Sequence, residues 1–238
     1  MKLSSLNLNS FPLGFRALVI GATGGIGQAL VQCLQGLENC GAVVSVSRSS
    51  NPAINFDDEA SVARAAQALL KQEPFHLIIN AVGILQTEQF SPEKKIEQLS
   101  YAQMEQMFRI NTMGPALVLQ QFTALLAPQR SVMAMLSAKV GSIGDNRLGG
   151  WYSYRASKAA LNMMVKTAAI ETKRKYPHAV IVALHPGTVD TALSAPFKGA
   201  ALGRNALLAA ADMLATLDQL TPDQSGGFFA YDGTQLPF

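Results

Sequence analysis

The chain has 238 residues, 49% of them hydrophobic and 15% charged. So much apolar material with a charged share below the usual ~25% excludes an intrinsically disordered chain, and the length suits one α/β domain. Nineteen basic against sixteen acidic side chains leave a formal charge of +3. The longest basic cluster is Lys173-Arg174-Lys175, so the cationic stripe of a nucleic-acid-binding surface is excluded too.

The opening Met1–Phe15 is polar with spaced leucines and reads as an arm, either frayed or a short edge strand. Arg16–Ile20 is a β run that meets a glycine cluster. Gly25–Leu37 then reads as a helix with Ile26, Leu30, Val31 and Leu34 on one stripe. Ala42–Val46 is a second strand, Ala53–Phe56 a brief third, and Glu59–Lys71 an Ala-rich helix. Phe75–Asn80 is continuously apolar, the pattern of a strand covered on both faces. Tyr101–Leu126 reads as one long helix, or a pair kinked around Gly114-Pro115. Ser131–Leu136 is another buried strand, Tyr152–Tyr176 a long helix, Ala179–Leu184 a strand, Asn205–Leu217 a helix and Gly227–Ala230 a last strand. The alternation predicts a doubly wound parallel sheet of Rossmann type, flanked by helices on both faces, as a single domain over 16–238. Two long irregular stretches, Leu85–Ser100 and Thr188–Gly203, follow predicted strands. They therefore fall at the carboxyl edge, where open α/β sheets bind ligands.

No stretch of 18 apolar residues exists, so no membrane span is expected, and the first residues lack the apolar core of a signal peptide. Cys33 and Cys40 have no metal-type spacing and read as reduced thiols of a cytoplasmic protein. No two histidines have metal-ligand spacing, so no metal is expected.

Gly21-Ala22-Thr23-Gly24-Gly25-Ile26-Gly27 lies between a predicted strand and a predicted helix, the context of a dinucleotide-binding turn. Glycines let the backbone approach a pyrophosphate, and free amides at the helix start face the anion. No Gly-Lys-Ser/Thr follows, which disfavours a phosphate-binding P-loop. The second predicted strand ends in Ser47-Arg48-Ser49-Ser50, without the acid that would bind a ribose 2′-hydroxyl. Arg48 has the planar fork that pairs with a 2′-phosphate, so the reading is NADP(H) rather than NAD(H). Tyr154 and Lys158 are four apart at the head of a predicted helix and share a face, whereas Tyr152 faces Ala156. A neighbouring ammonium lowers a phenol's pKa from near 10 and makes it a usable acid or base.

Together the glycine turn, Asn80-Ala81-Val82-Gly83, Asn111, Tyr154/Lys158 and Pro186-Gly187-Thr188-Val189-Asp190-Thr191 resemble the short-chain dehydrogenase/reductase family in kind and order, from Arg16 to Phe238. Val140–Tyr152 is similar to the C-factor (cell–cell signalling) and sniffer-type carbonyl reductase group. The resemblance implies an oxidoreductase that moves a hydride from NADPH to a small-molecule carbonyl substrate, working as a homodimer or homotetramer. The alternative is an NADP(H)-binding signalling or regulatory protein with little or no turnover.

By the same resemblance, Gly21, Gly25 and Gly27 form the pyrophosphate turn, with the Ile26 amide on a phosphate. Ser47 and Arg48 hold the 2′-phosphate. Asn55 stands where the family usually has an Asp touching the adenine amine, and Phe56 offers its backbone beside it. Asn80, Ala81 and Val82 run beneath the adenine ribose. Lys158 holds the nicotinamide ribose and tunes Tyr154. Asn111 holds a relay water through its helix backbone. Pro186, Gly187, Val189 and Thr191 grip the carboxamide.

One departure concerns the reaction itself. Counting back from Gly141 puts Ala138 where the family has its catalytic serine. Ser137 is one residue early, which in an extended strand points to the opposite face, and Ser142 is the other nearby hydroxyl. Ile20 stands where Thr is more usual. His185, before Pro186, reads as a packing residue rather than a base, and His76 and His178 as strand-start residues. Trp151 reads as a substrate wall or a packing anchor. Met163-Met164 read as helix core, and Glu93-Lys94-Lys95 as a solvated surface.

Overall fold

Alternate residues of each strand divide between two cores. In β1 (Phe15–Ile20) Ala17 and Val19 face one and Leu18 and Ile20 the other. β4 (Ser131–Leu136) repeats the split, with Val132, Ala134 and Leu136 on the first side and Met133 and Met135 on the second. This period of two, apolar on both faces, requires cover on both sides of the sheet. The computed structural model describes residues 6–197 and 199–238. After β1 come α1 (Gly25–Gln35), β2 (Cys40–Val46), α2 (Glu59–Leu69), β3 (Leu77–Asn80), α3 (Tyr101–Phe108), α4 (Gly114–Phe122) and β4. Then follow α5 (Tyr152–Thr172), β5 (Ala179–His185), the one-turn α6 (Gly199–Leu202), α7 (Ala206–Gln219) and β6 (Phe228–Ala230).

The six strands are all parallel, in the order β2-β1-β3-β4-β5-β6. α1 and α7 cover one face, and α2, α4 and α5 the other. This is the doubly wound architecture that the alternation predicts. The chain runs outward from β1 to β2 and then returns to place β3 on the far side of β1. A crevice therefore opens above the carboxyl ends of β1 and β3.

Three expectations change. Ala53–Phe56 is no strand: Ile54 N–H donates to Ser47 O at 3.0 Å, and Asn55 N–H donates to Ser61 Oγ at 2.9 Å. Its backbone groups are spent on a turn and on the head of α2 instead of a ladder. The long helix does not break at Gly114-Pro115. It runs from α3 to α4 through a π turn, Arg109–Met113, in which Gly114 N–H reaches back to Arg109 O. Pro115 has no N–H, so the Asn111 carbonyl lacks its ordinary donor four residues on. Residues 6–14 are neither frayed nor a strand. Leu8 and Phe11 are buried, the Phe11 ring stacks on Phe15 at 5.1 Å, and the Ser10 hydroxyl donates to Asp218 Oδ1 of α7 at 2.6 Å. Residues 1–5 of the expected arm and position 198 of the second loop lie outside the described residues.

Helix starts differ in how their free amides are met. The side chains of Asp58, Ser100 and Asn205 accept from first-turn amides of α2, α3 and α7. The start of α1 has Gly24 in the capping position, no side chain on its amides and no acid in its first turn.

Candidate active site

The crevice is built from three strand ends. Gly21 leaves β1 with φ 85°, in the left-handed region that favours glycine, and a Cβ there would lie 2.9 Å from Val82 Cγ2. At Gly27 a Cβ would lie 2.1 Å from Gly21 O, so α1 sits directly on the turn. A cavity of 240 Å³ is lined by Gly21 from β1, Ser47 and Arg48 from β2, Asn55 and Phe56 from the turn before α2, and Ala81 and Val82 from β3. Thr23 and Gly24 of the glycine cluster and Gly83 of the Asn80–Gly83 motif also line it, as do Asp57, Ile84 and Ile110, which the sequence reading gave no role. Ser47 is buried and Arg48 exposed, and no acid pairs with Arg48 among the described residues. Asn80 is buried and its Oδ1 accepts from Val82 N–H at 3.3 Å, which turns the chain beneath the cavity. The Asn55 Oδ1 accepts from Asp57 N–H at 3.2 Å, and the Phe56 ring lies against Gly114. Gly25 and Ile26 open α1 beside the cavity, and the Ile26 side chain packs on the core.

Pro186, Gly187, Val189 and Thr191 do not line this cavity. They come from the end of β5 at the same sheet edge, and Thr191 Cγ2 lies 2.8 Å from where a Gly25 Cβ would stand. The two motifs, far apart in sequence, thus meet over the first turn of α1.

Asn111, Tyr154 and Lys158 converge beside the crevice. The Asn111 amide bonds the Ile84 backbone twice, accepting from N–H and donating to O, both at 2.9 Å, and its Nδ2 also donates to Ser157 Oγ at 3.2 Å. Thr112 Oγ1 donates to Ser157 O at 2.7 Å, so the π turn is pinned to α5. Lys158 Nζ donates to Leu136 O at 2.9 Å and lies 6.0 Å from the Tyr154 ring centre. A Cβ on Gly83 would touch both Asn111 Oδ1 and Lys158 Nζ at 3.3 Å, so all three elements meet at one point.

The electrostatics differ from the sequence expectation. Burial, not the ammonium, dominates Tyr154, and it pushes the phenol up to about 12. Burial also brings Lys158 down to about 8. Near neutral pH the pair is therefore a phenol beside a largely charged ammonium. That is the proton-donating form of the tyrosine.

The Ser137 hydroxyl is buried and donates to Asn162 Oδ1 of α5 at 2.6 Å. Ser142 is buried as well, and its Oγ accepts from Asp145 N–H at 3.1 Å. His185 is held down to about 4, first by burial and then by the nearby Lys139 charge, and its Nδ1 has no hydrogen-bond partner among the described residues. Met163 and Met164 are exposed on α5, at 65% and 46%, rather than in the core. Glu93 is 2% exposed, which corrects the solvated-surface reading for that residue, whereas Lys94 and Lys95 are exposed. Trp151, at φ 52°, sets its ring edge-on to Tyr154 at 6.2 Å and to Phe197 at 5.2 Å, between the tyrosine and the loop before α6.

A parallel sheet with this crevice at the reversal of strand order is a doubly wound fold, whose ligands bind at that crevice. Residues 16–200 match the family model described as short chain dehydrogenase, and the chain belongs to that family. It is 32% identical over 186 residues to 1-hydroxy-2-glutathionyl-2-methyl-3-butene dehydrogenase of Rhodococcus sp. (strain AD45), covering 78% of each chain. It is 37% identical over 148 residues to the C-signal protein of Myxococcus xanthus, covering 59% of this chain and 81% of that one. Among solved structures it is similar to the NADPH-bound carbonyl reductase from chicken fatty liver, with TM-score 0.81, 26% identity and coverage of 96% and 100%. The carbonyl reductase Sniffer of D. melanogaster shares the fold at TM-score 0.80 and 22% identity, with coverage of 94% and 99%. Among the described residues no helix is long and apolar enough to cross a membrane.

Proposed function

We propose that the protein reduces a small-molecule carbonyl compound with NADPH. The meeting of Asn111 and Lys158 at Gly83, with Lys158 Nζ 6.0 Å from the Tyr154 ring centre, carries this reading, because it sets an acid and a cation beside the crevice. The crevice suits the dinucleotide: the amides of Gly25, Ile26 and Gly27 are free for a pyrophosphate, and Gly21 lets the turn close beneath it. Ser47 and the unpaired Arg48 hold a 2′-phosphate, which favours NADPH over NADH. Asn55 and the Phe56 backbone take the adenine, and Asn80, Ala81 and Val82 underlie its ribose. Lys158 holds the second ribose, and Pro186, Gly187, Val189 and Thr191 take the carboxamide. The NADPH-bound carbonyl reductase of similar structure supports the choice of cofactor.

Bound NADPH supplies a hydride to the carbonyl carbon. Tyr154, a phenol at neutral pH, gives its proton to the carbonyl oxygen, and Lys158 stabilises the charge left behind. The Asn111 carbonyl, short of its usual helical donor, holds the water that returns a proton. The catalytic unit spans 16–238, with the arm anchored by Leu8 and Phe11. The protein is read as cytoplasmic, in keeping with the free Cys33 and Cys40. It is read as a homodimer or homotetramer, in keeping with the exposed Met163, Met164 and Ile170 of α5.

The test is loss of NADPH absorbance against a panel of aldehydes and ketones. Tyr154→Phe should lower kcat by about 10²–10⁴-fold with NADPH affinity little changed. Turnover equal to wild type would show that another group is the acid, and equal affinity for NADH would refute the role of Arg48. Ala138, together with the likeness to the C-signal protein, favours a second reading: a nucleotide-binding signalling protein. Tight NADPH binding with no oxidation across the panel would select it.

A further inference from the structure

Glu93 has no role in the reaction above, yet it is the one carboxylate of its loop that is buried. Its neighbours Lys94, Lys95 and Glu97 are exposed. A buried carboxylate needs donors, and Glu93 takes them all from the head of α5. Its Oε1 accepts from the Ser153 hydroxyl, its Oε2 from Ser153 N–H at 3.2 Å, and its backbone O from Trp151 N–H at 2.5 Å. The helix lacks a cap of its own. Trp151 stands in the capping position with φ 52° and ψ 45° and no capping side chain, and the first turn contains no acid. A left-handed backbone at a large aromatic residue persists only where its surroundings hold it. Here Arg155 donates to the Gly149 and Gly150 carbonyls just before Trp151, and the Glu93 carbonyl, from a loop distant in sequence, takes the Trp151 N–H itself.

We infer that Glu93 is a positioning residue: it clamps the start of α5, fixes Trp151 in its left-handed conformation, and through both sets the wall against which Tyr154 works. Its carbonyl fixes the residue whose ring meets Tyr154 and Phe197, and its carboxylate fixes the residue directly before Tyr154. The negative charge also suits the positive end of a long helix. The catalytic part of the inference rests on Tyr154 being the proton donor. The clamp itself does not.

The experiment compares full-length wild type with Glu93→Ala, Glu93→Gln, Ser153→Ala and the exposed-acid control Glu97→Ala. Trp151 is the only tryptophan of the chain, so its emission and acrylamide quenching report the clamp without any substrate. kcat, KM and NADPH affinity are measured alongside, with melting temperature to confirm folding. Glu93→Ala should increase quenching and lower kcat by about 10- to 100-fold, with NADPH affinity retained. Ser153→Ala should move both readouts in the same direction. Glu93→Gln, which keeps an acceptor oxygen, should recover most of the loss, and Glu97→Ala should match wild type. Glu93→Ala and Ser153→Ala both keep the Glu93 carbonyl, so folded protein with wild-type Trp151 quenching would show that the carboxylate does not seat the head of α5 and would overturn the clamp. Altered quenching with kcat unchanged would overturn the link to Tyr154. A wild-type protein that reduces no carbonyl would instead refute the proposed reaction and leave Trp151 to decide the clamp.

Discussion

At the scale of single residues, the proposed reaction lacks one hydroxyl, because by the family resemblance Ala138 stands where a serine would meet the reacting oxygen. Its neighbour Ser137 is committed to Asn162 of α5. One donor to a developing oxyanion contributes roughly 2.7–4 kcal/mol where it has been removed elsewhere. Ala138→Ser should therefore raise kcat by up to about 10²-fold in the NADPH-oxidation assay. No gain would mean that another group already meets the oxygen. Ala138 was legible in the sequence from its spacing to Gly141. The tyrosine's electrostatics were not. Spacing predicted an ammonium that lowers the phenol, but desolvation depends on everything packed around both groups, and it wins at each. Glu93 was hidden for a related reason: in sequence it sits among charges, and only the fold delivers the head of α5 to it.

At the scale of elements, the β1–α1 turn is the tightest joint of the site. A methyl at Gly27 would overlap the Gly21 carbonyl, which is backbone and cannot step aside as a side chain can. Gly27→Ala should lower stability by about 1–3 kcal/mol and weaken NADPH binding more than any change at the exposed Gly14, as read by thermal melting and nucleotide titration. Helices and strands with clear periodicity were read within a few residues of their ends. The brief strand at Ala53–Phe56 failed because four residues cannot show whether their N–H groups meet a ladder or a turn. For Tyr101–Leu126 the first alternative, one long helix, describes the course to Phe122, and the kink at Gly114-Pro115 does not. Here the strain is taken up one turn earlier, at Asn111, where the amide side chain anchors the π turn to Ile84.

At the scale of the whole molecule, two partly buried histidines make the fold sensitive to acid. Burial lowers His76 as well as His185, and His185 is the larger case, at about 4 against an ordinary 6.5. The unfolded chain then binds the extra protons, so this stability is complete above pH 6.5 and is lost as the pH falls toward 4. His185 accounts for at most about 3 kcal/mol of that loss. Melting temperatures should fall across this range, and His185→Gln should flatten the curve. A profile that is unchanged in the variant would move the sensitivity elsewhere. The doubly wound sheet itself was readable from the strand and helix order, since strands apolar on both faces need helices on both sides of the sheet. The way its helices begin has a further consequence. α2, α3 and α7 each carry their own acceptor, and α5 borrows the carboxylate of Glu93. Among these long helices α1 alone keeps its amides unclaimed. A phosphate-bearing molecule arriving from solvent thus finds the rival landing places already occupied by the protein's own oxygen atoms. Its choice of berth is made by exclusion as much as by attraction.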